Sequence, residues 1–427
     1  MKIYFEMRST SYLVLIALFF LIIACSPKGK EGLISYDPEG STVTTNKQID
    51  SQHKRTIGVR SEGVWITNEF KTARMNDFYK TEGDTFRVVI EPEIEPVNNS
   101  PWYGFKMWSD TTRDVTLNIV YKHGSHRYSP KLSTDGVSWS TIDTTDYYEV
   151  SGQAFVNINL TEDPLWISAQ PSVGFQEYRE WLNPHSSKPF VQVDTIGYSH
   201  EGRPVERVKL NQTESAKPKG VLILTGRLHP PEITGQLALF YFLDELMANS
   251  ELAKTFRDKF VVLAYPFANP DGVTNGHWRT NAVGVDLNRD WINFNQPETK
   301  AIKFDIQSSV ARLFNAKVFY GMDFHSTQKN VMYPIIKKRT TFPEDFTYRW
   351  IDDVKPQYNN SIDVEPFDVQ SPITKNWIYR EFGADAVTFE VGDTTSDESI
   401  RELARLSADA IMNRLLEAYE DFYKPEM

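Results

Sequence analysis

The sequence predicts a mixed, mostly parallel α/β sheet with helices on both faces, preceded by an antiparallel β-sandwich. Three observations carry this expectation. From about residue 54 to 172, short segments rich in β-branched and aromatic residues alternate with polar turns and show no helical period. Beyond Gly174, apolar strands alternate with amphipathic helices, the pattern of a sheet covered on both sides. At 427 residues, with 40% apolar and 13% aromatic side chains, the chain can fill more than one core and lacks a disordered composition.

At the N-terminus, Lys2 and Arg8 precede an apolar run from Tyr12 to Ile23, which meets Ala24-Cys25-Ser26. A charged start, a short apolar stretch and small residues at the break describe a secretory signal. The run is shorter than the about 20 residues of a comfortable membrane span. Ile22-Ile23-Ala24-Cys25 resembles the lipobox of bacterial lipoproteins, in which the cysteine becomes the lipidated first residue; an uncleaved anchor is the alternative. Residues 1–24 are therefore expected to be a signal peptide. Cys25 is expected to hold the protein on a membrane of the bacterial cell envelope, on either face, with 25–53 as a polar tether. Cys25 is the single cysteine, so no intramolecular disulfide staples the fold.

The sandwich is expected over 54–172. Its strand candidates include Phe86–Ile90, Trp102–Trp108, Val115–Val120 and Ala154–Leu160, separated by Asp, Gly, Ser and Thr. His123 and His126 share one turn beside Lys122 and Arg127, a setting that suggests solvent-facing imidazoles rather than a metal pair.

The α/β part, 173–427, is expected to open with a helix (Phe175 to Leu182) and two strands around Gly202-Arg203-Pro204. A strand Val221–Leu224, a helix Ile233–Met247 and a strand Phe260–Tyr265 follow. After them come a helix near Glu298–Leu313, strands near Val318–Met322 and Ala386–Phe389, and a helix from about Glu398 to Phe422. Ligand sites in such sheets lie beyond the carboxyl ends of the strands. The net charge of −11 is spread along the chain without a basic run, which argues against nucleic acid as a partner.

Four stretches near predicted strand ends carry chemistry. His229 and Glu232, in Arg227-Leu228-His229-Pro230-Pro231-Glu232, are three apart at a strand-to-helix turn, where an imidazole and a carboxylate can converge on one ion. Alone, that spacing is common by chance. His325, in Asp323-Phe324-His325-Ser326, supplies a second imidazole; two histidines, one carboxylate and an open position form a catalytic zinc geometry. Glu390 ends the apolar strand Val387-Thr388-Phe389, where a carboxylate is costly unless it meets a metal, a cation or solvent. Beside a zinc-activated water of pKa about 7 it can act as the proton acceptor. Arg279, Asn288 and Arg289 lie in a loop-rich stretch that can clamp a carboxylate and stabilise an oxyanion.

Together these motifs resemble the carboxypeptidase A-like zinc metallopeptidase family, from about Gly174 to the C-terminus. The resemblance implies one zinc ion per chain held by His229, Glu232 and His325, with Glu390 of Thr-Phe-Glu as general base. It implies Arg279 at the oxyanion, Asn288 and Arg289 on the substrate's terminal carboxylate, and Asp286 orienting the first zinc histidine. Arg227 to Glu232 is similar to the R-x-H-P-G-E of the cytosolic-carboxypeptidase-like branch, with Pro231 in place of glycine. So are Asn269-Pro270-Asp271-Gly272, Val285-Asp286-Leu287-Asn288-Arg289 and Tyr379-Arg380-Glu381-Phe382-Gly383. That branch carries a β-sandwich before the peptidase, and Pro101-Trp102-Tyr103-Gly104-Phe105 looks like its W-Y-x-F strand. Two departures stand out. Pro231 occupies a position that is often arginine in digestive members. The tyrosine those enzymes close over the substrate has no clear counterpart, with Phe367 or Asp368 in its region.

The implied reaction is hydrolysis of the C-terminal amide bond of peptides or proteins. Aligned on the family, Lys375 falls near the base of the pocket for the last side chain, which favours acidic C-terminal residues; the alternative is a helix-face lysine in water. Two rivals remain open at this point: a zinc-dependent deacylase of small N-acyl amino acids, and an inactive metal-holding lipoprotein.

Overall fold

A computed structural model describes residues 48–212, 219–359 and 361–424. The expected signal peptide, Cys25 and most of the tether lie outside these residues. The first half builds two facing sheets. One has the order β1 (Thr56–Val59), β2 (Val64–Thr67), β5 (Gly104–Ser109), β11 (Leu165–Ser168), β7 (Lys131–Ser133) and β8 (Ser140–Thr141). The other has the order β3 (Asp77–Lys80), β4 (Thr85–Ile90), β6 (Arg113–Tyr121), β10 (Gln153–Leu160) and β9 (Tyr147–Val150). Alternation does the sorting: Phe86, Val88 and Ile90 of β4 point inward, as do Phe105 and Met107 of β5, and the residues between them are less buried. One pair departs from the expected antiparallel pattern. β4 and β6 run parallel, because the chain crosses to the opposite sheet as β5 between them.

His126 also corrects an expectation. It is buried, stacked against Tyr103, with its Nδ1 2.7 Å from the Tyr121 hydroxyl. Burial lowers its pKa to about 4, so the imidazole behaves as a neutral core residue. Its neighbour His123 pairs with Glu95 nearer the surface.

The second half is an eight-stranded sheet in the order β12 (Val191–Tyr198), β13 (Pro204–Leu210), β15 (Phe260–Tyr265), β14 (Gly220–Gly226), β16 (Lys317–Thr327), β19 (Asp385–Gly392), β17 (Val331–Pro334) and β18 (Asp363–Val364). The central four, β15-β14-β16-β19, are parallel, with antiparallel neighbours on both sides. β14 and β15 are buried throughout, as a doubly covered strand must be. Their period of two feeds two cores. Leu222, Leu224, Val262 and Ala264 face one, while Val221, Ile223, Val261 and Leu263 face the other.

Helices cover both faces. α1 (Phe175–Ser186), α2 (Ile233–Leu246), α3 (Glu251–Lys259), α6 (Phe346–Val354) and α8 (Asp397–Phe422) contribute to the first core. α5 (Pro297–Arg312) and α7 (Thr374–Phe382) contribute to the second; the short α4 (Pro270–Asn275) caps the β15 loop. The sandwich core is continuous with the first of these cores, so sandwich and α/β part share packed apolar contacts. Among the described residues, no helix is long and apolar enough to cross a membrane.

Candidate metal and active site

The strand-to-helix turn after β14 is set by neighbours rather than by propensity. Arg227 adopts φ 55°, and its Nε donates to Pro230 O at 2.9 Å. Asn269 caps α4 by accepting from Gly272 N and donates to Leu228 O at 3.0 Å, which ties the two loops together. Glu232 then stands at the N-cap of α2 yet makes no capping bond. Its carboxylate turns instead between two imidazoles: Oε1 lies 2.9 Å from His229 Nδ1 and Oε2 lies 2.7 Å from His325 Nδ1.

His325 does not close its strand, as the sequence suggests. β16 runs on to Thr327, so His325 projects from within it, in register with Glu390 of β19. Parallel neighbours in register put the two side chains on one face. α2 must approach β16 closely to bring Glu232 there, and Gly235 permits it: a Cβ on Gly235 would lie 2.2 Å from His325 O. Ser326 Oγ accepts from Gly235 N at 2.8 Å and closes the same contact.

Both outer imidazole nitrogens meet carboxylates. His229 Nε2 is 2.9 Å from Asp286 Oδ1, and His325 Nε2 is 2.8 Å from Asp323 Oδ2. A carboxylate on Nε2 favours the proton there, so that Nδ1, the inward nitrogen, is the one left to a metal ion, the arrangement of metal-binding histidines. Asp323 is itself held by Thr225 Oγ1 at 2.6 Å, across the β14–β16 register. This partner of His325 lies two residues before it as Asp-x-His, a spacing too common to stand out without the fold.

His229, Glu232 and His325 form the one group among the described residues whose ligand atoms lie within 4.8 Å of one another, and all three are buried. Four carboxyl groups (Glu232, Asp286, Asp323, Glu390) gather around two guanidinium groups, Arg279 and Arg289. Against burial, His229 and His325 hold Glu232 well below the usual carboxylate range. Likewise Asp323 and Glu232 hold His325 well above the ordinary imidazole value, so the site already attracts positive charge. Glu390 carries the converse signal. One of its carboxyl oxygens is enclosed without a partner, and burial, with Glu232 and Asp323 nearby, pushes it up to about 8. The donor set fits a zinc ion.

Arg279 is buried against this cluster, its Nε donating to Asp286 Oδ2 at 2.7 Å and its Nη1 3.9 Å from Glu232 Oε1. Asp286 caps the turn Leu287–Arg289, accepting from Asn288 N at 2.8 Å, so one residue fixes histidine, arginine and asparagine together. Asn288 Oδ1 accepts from Thr374 N (3.0 Å) and Thr374 Oγ1 (3.1 Å), and its Nδ2 lies 3.1 Å from His325 Nε2. Arg289 is half-buried beside it, donating to Asn288 O. Thr374, which orients the asparagine, carried no signal in the sequence.

Lys375 does not sit on a solvated helix face. It is fully buried, its Nζ 3.4 Å from Pro334 O and 3.6 Å from the centre of the Phe367 ring. Burial lowers its pKa to about 7, against the pull of Asp385 and Asp368.

A doubly covered, mostly parallel sheet with two histidines, a carboxylate and a further, half-buried glutamate near its strand ends defines a zinc-hydrolase type of centre. A family model described as "Zinc carboxypeptidase" matches residues 178–397, and the chain belongs to that family. Relatives include cytosolic carboxypeptidase 3 of Bos taurus, 34% identical over 313 residues, covering 65% of this chain and 31% of the relative. The Mus musculus protein of that name is 22% identical over 336 residues, covering 71% and 32%. The chain thus spans about a third of the length of these curated relatives. A metallo-carboxypeptidase from Burkholderia cenocepacia shares the fold with TM-score 0.71 at 17% identity, covering 83% of this chain and 99% of that one. One from Pseudomonas aeruginosa does so with TM-score 0.67 at 16% identity, covering 83% and 99%.

Proposed function

We propose that this protein removes residues from the C-termini of peptides or proteins by zinc-dependent hydrolysis, with a preference for acidic last residues. The observation that carries the reaction is the ligand set: two imidazoles turned inward by Asp286 and Asp323, bridged by Glu232, beside the enclosed carboxyl of Glu390. His229, Glu232 and His325 would hold the ion. Bound zinc supplies Lewis acidity to the scissile carbonyl and the attacking water.

The remaining steps belong to the chain. Glu390 takes the proton of the attacking water and returns it to the leaving amine. Arg279, fixed by Asp286, donates to the oxyanion as charge develops on it. Arg289 and the Nδ2 of Asn288 hold the free carboxylate, which restricts cleavage to chain ends; Asn288 Oδ1 is already taken by Thr374. For the preference, the support is Lys375: a buried cation with one long carbonyl contact and no ion pair among the described residues, which an acidic side chain would complete.

Zinc-loaded protein should release single C-terminal residues from a mixed peptide library and stop with a chelator. An E390Q variant should retain zinc and lose about 10²- to 10⁴-fold in kcat. Wild-type turnover in zinc-loaded E390Q would overturn the mechanism, and release of acyl groups without amino acids would favour a deacylase. The same reading places the enzyme on a bacterial cell-envelope membrane through lipidated Cys25, supported by the run from Tyr12 to Ile23 ahead of Ala24-Cys25. A C25S variant should lose labelled fatty acid and membrane association; unchanged labelling would refute the anchor.

A further inference from the structure

The loop that presents Arg279 is built largely by the sandwich. Glu93, which follows β4, is fully buried, and its carboxylate accepts from three consecutive backbone N–H groups. Trp278 N donates to Oε2 at 2.7 Å, and Arg279 N and Thr280 N donate to Oε1 at 3.0 and 2.9 Å. Thr280 Oγ1 adds a fourth bond at 2.9 Å. Successive N–H groups converging on one carboxylate form an anion-holding nest, and here the anion is a side chain from another part of the chain.

The surroundings are consistent with a jig. Burial opposes the charge on Glu93, but His277, Arg74 and the backbone donors outweigh it and keep the carboxyl below its ordinary range. Arg74 Nη1 donates to Gly276 O at 3.0 Å, and Trp278 Nε1 donates to Trp102 O at 3.0 Å. Gly276 has φ 65°, and a Cβ there would lie 2.6 Å from Ala73 O, so the loop is pressed directly on sandwich backbone. Beyond the loop, the Arg279 side chain continues through Asp286 to His229.

We propose that Glu93 is a positioning residue for Arg279, which makes the sandwich a working part of the active site. This rests on the reading of Arg279 as the oxyanion donor. A carboxylate suits the nest, whereas an amide has one acceptor oxygen and turns an NH2 group toward N–H donors. With Glu93 altered, three buried N–H groups lose their partner, and the Arg279 guanidinium loses its fixed anchor.

The test uses the full chain loaded with zinc, in the variants E93Q, E93D, R279M and E93Q/R279M. It measures kcat, KM, zinc content and the affinities of a phosphonate peptide analogue and of a product-like carboxylate ligand. R279M should lose about 10²- to 10³-fold in kcat. E93Q should lose about tenfold in kcat and in phosphonate affinity, while KM, product affinity and zinc content stay within about threefold. Combined with R279M, E93Q should cost nothing further. Wild-type kcat and phosphonate affinity in folded E93Q, with R279M impaired, would overturn the role of Glu93. So would losses that multiply in the double variant, which a merely structural role produces. An unimpaired R279M would instead overturn the reading of Arg279. If E93Q does not fold, E93D, which keeps the charge but withdraws it from the nest, decides between the same outcomes.

Discussion

Lys375 offers a test in which pH and specificity report on one atom. In the free protein its Nζ is enclosed, touches one carbonyl at 3.4 Å, and has a pKa lowered to about 7 by burial. A substrate carboxylate reaching it would form a charge-assisted contact worth about 1.5–3 kcal/mol, or roughly 10- to 150-fold in kcat/KM over an apolar last residue. The sign follows from the charge. Below pH 7 the ammonium is present and attracts the acidic side chain; as pH rises through 7 it becomes neutral and the attraction is lost. With a pKa near 7 the charged fraction falls about tenfold between pH 6 and pH 8. The assay is the ratio of kcat/KM for two peptides that differ only in a C-terminal glutamate or leucine. Because kcat/KM reports the free enzyme, ionisations common to both substrates cancel in the ratio. The ratio should fall by up to about tenfold across that range in the wild type and should be small and flat in K375M. A pH-independent ratio in the wild type, or an acid preference that survives K375M, would refute the reasoning.

Two further perturbations address the framework of the metal site. D323N removes the carboxylate from His325 Nε2 and should weaken zinc binding about 10- to 100-fold in a chelator competition; unchanged affinity would mean that Asp323 does not orient the imidazole. G235A places a Cβ 2.2 Å from His325 O, so α2 must move off β16; unfolding should be easier by about 1–3 kcal/mol, and zinc should no longer raise the melting temperature as it does in the wild type. A G235A protein that melts and binds zinc normally would show that the helix–strand approach is not what aligns Glu232 with His325.

Much of this site was legible because its residues sit in short stretches with their own grammar. His229 and Glu232 share one turn, and Glu390 is a carboxylate directly after an apolar run, although β19 does not end there: it continues to Gly392 and leaves Glu390 half-buried. The predicted strand Phe260–Tyr265 matches the observed one, since continuous burial leaves an unbroken apolar run. Elsewhere the local signal misled. β16 extends through His325, because a polar Asp-x-His segment is sustained by Thr225 and Glu232 from other elements, and no local propensity announces them. The sequence pattern assigns no element to α6 (Phe346–Val354). For Lys375 the sequence leaves a pocket base and a solvated helix face open, and only the enclosure by Phe367 and Pro334 removes the second.

The sandwich shows where local reading stops in principle. Glu93 meets residues 278–280 across a separation of 185 to 187 positions, and the residues around it in sequence carry no motif. Its acceptor role exists only once the loop after α4 has folded against it. The same holds for Arg127 of the sandwich, whose guanidinium meets the Asp393 carboxylate at 2.8 Å, just past Glu390. Two sandwich residues therefore hold segments that carry site residues: Glu93 takes the backbone at Arg279, and Arg127 takes the Asp393 side chain three positions after Glu390. Separate domains joined by a mobile linker would hold neither in register, whereas a shared core does. Selection on catalysis would then act on the sandwich through these contacts, although it contributes no ligand to the metal cluster.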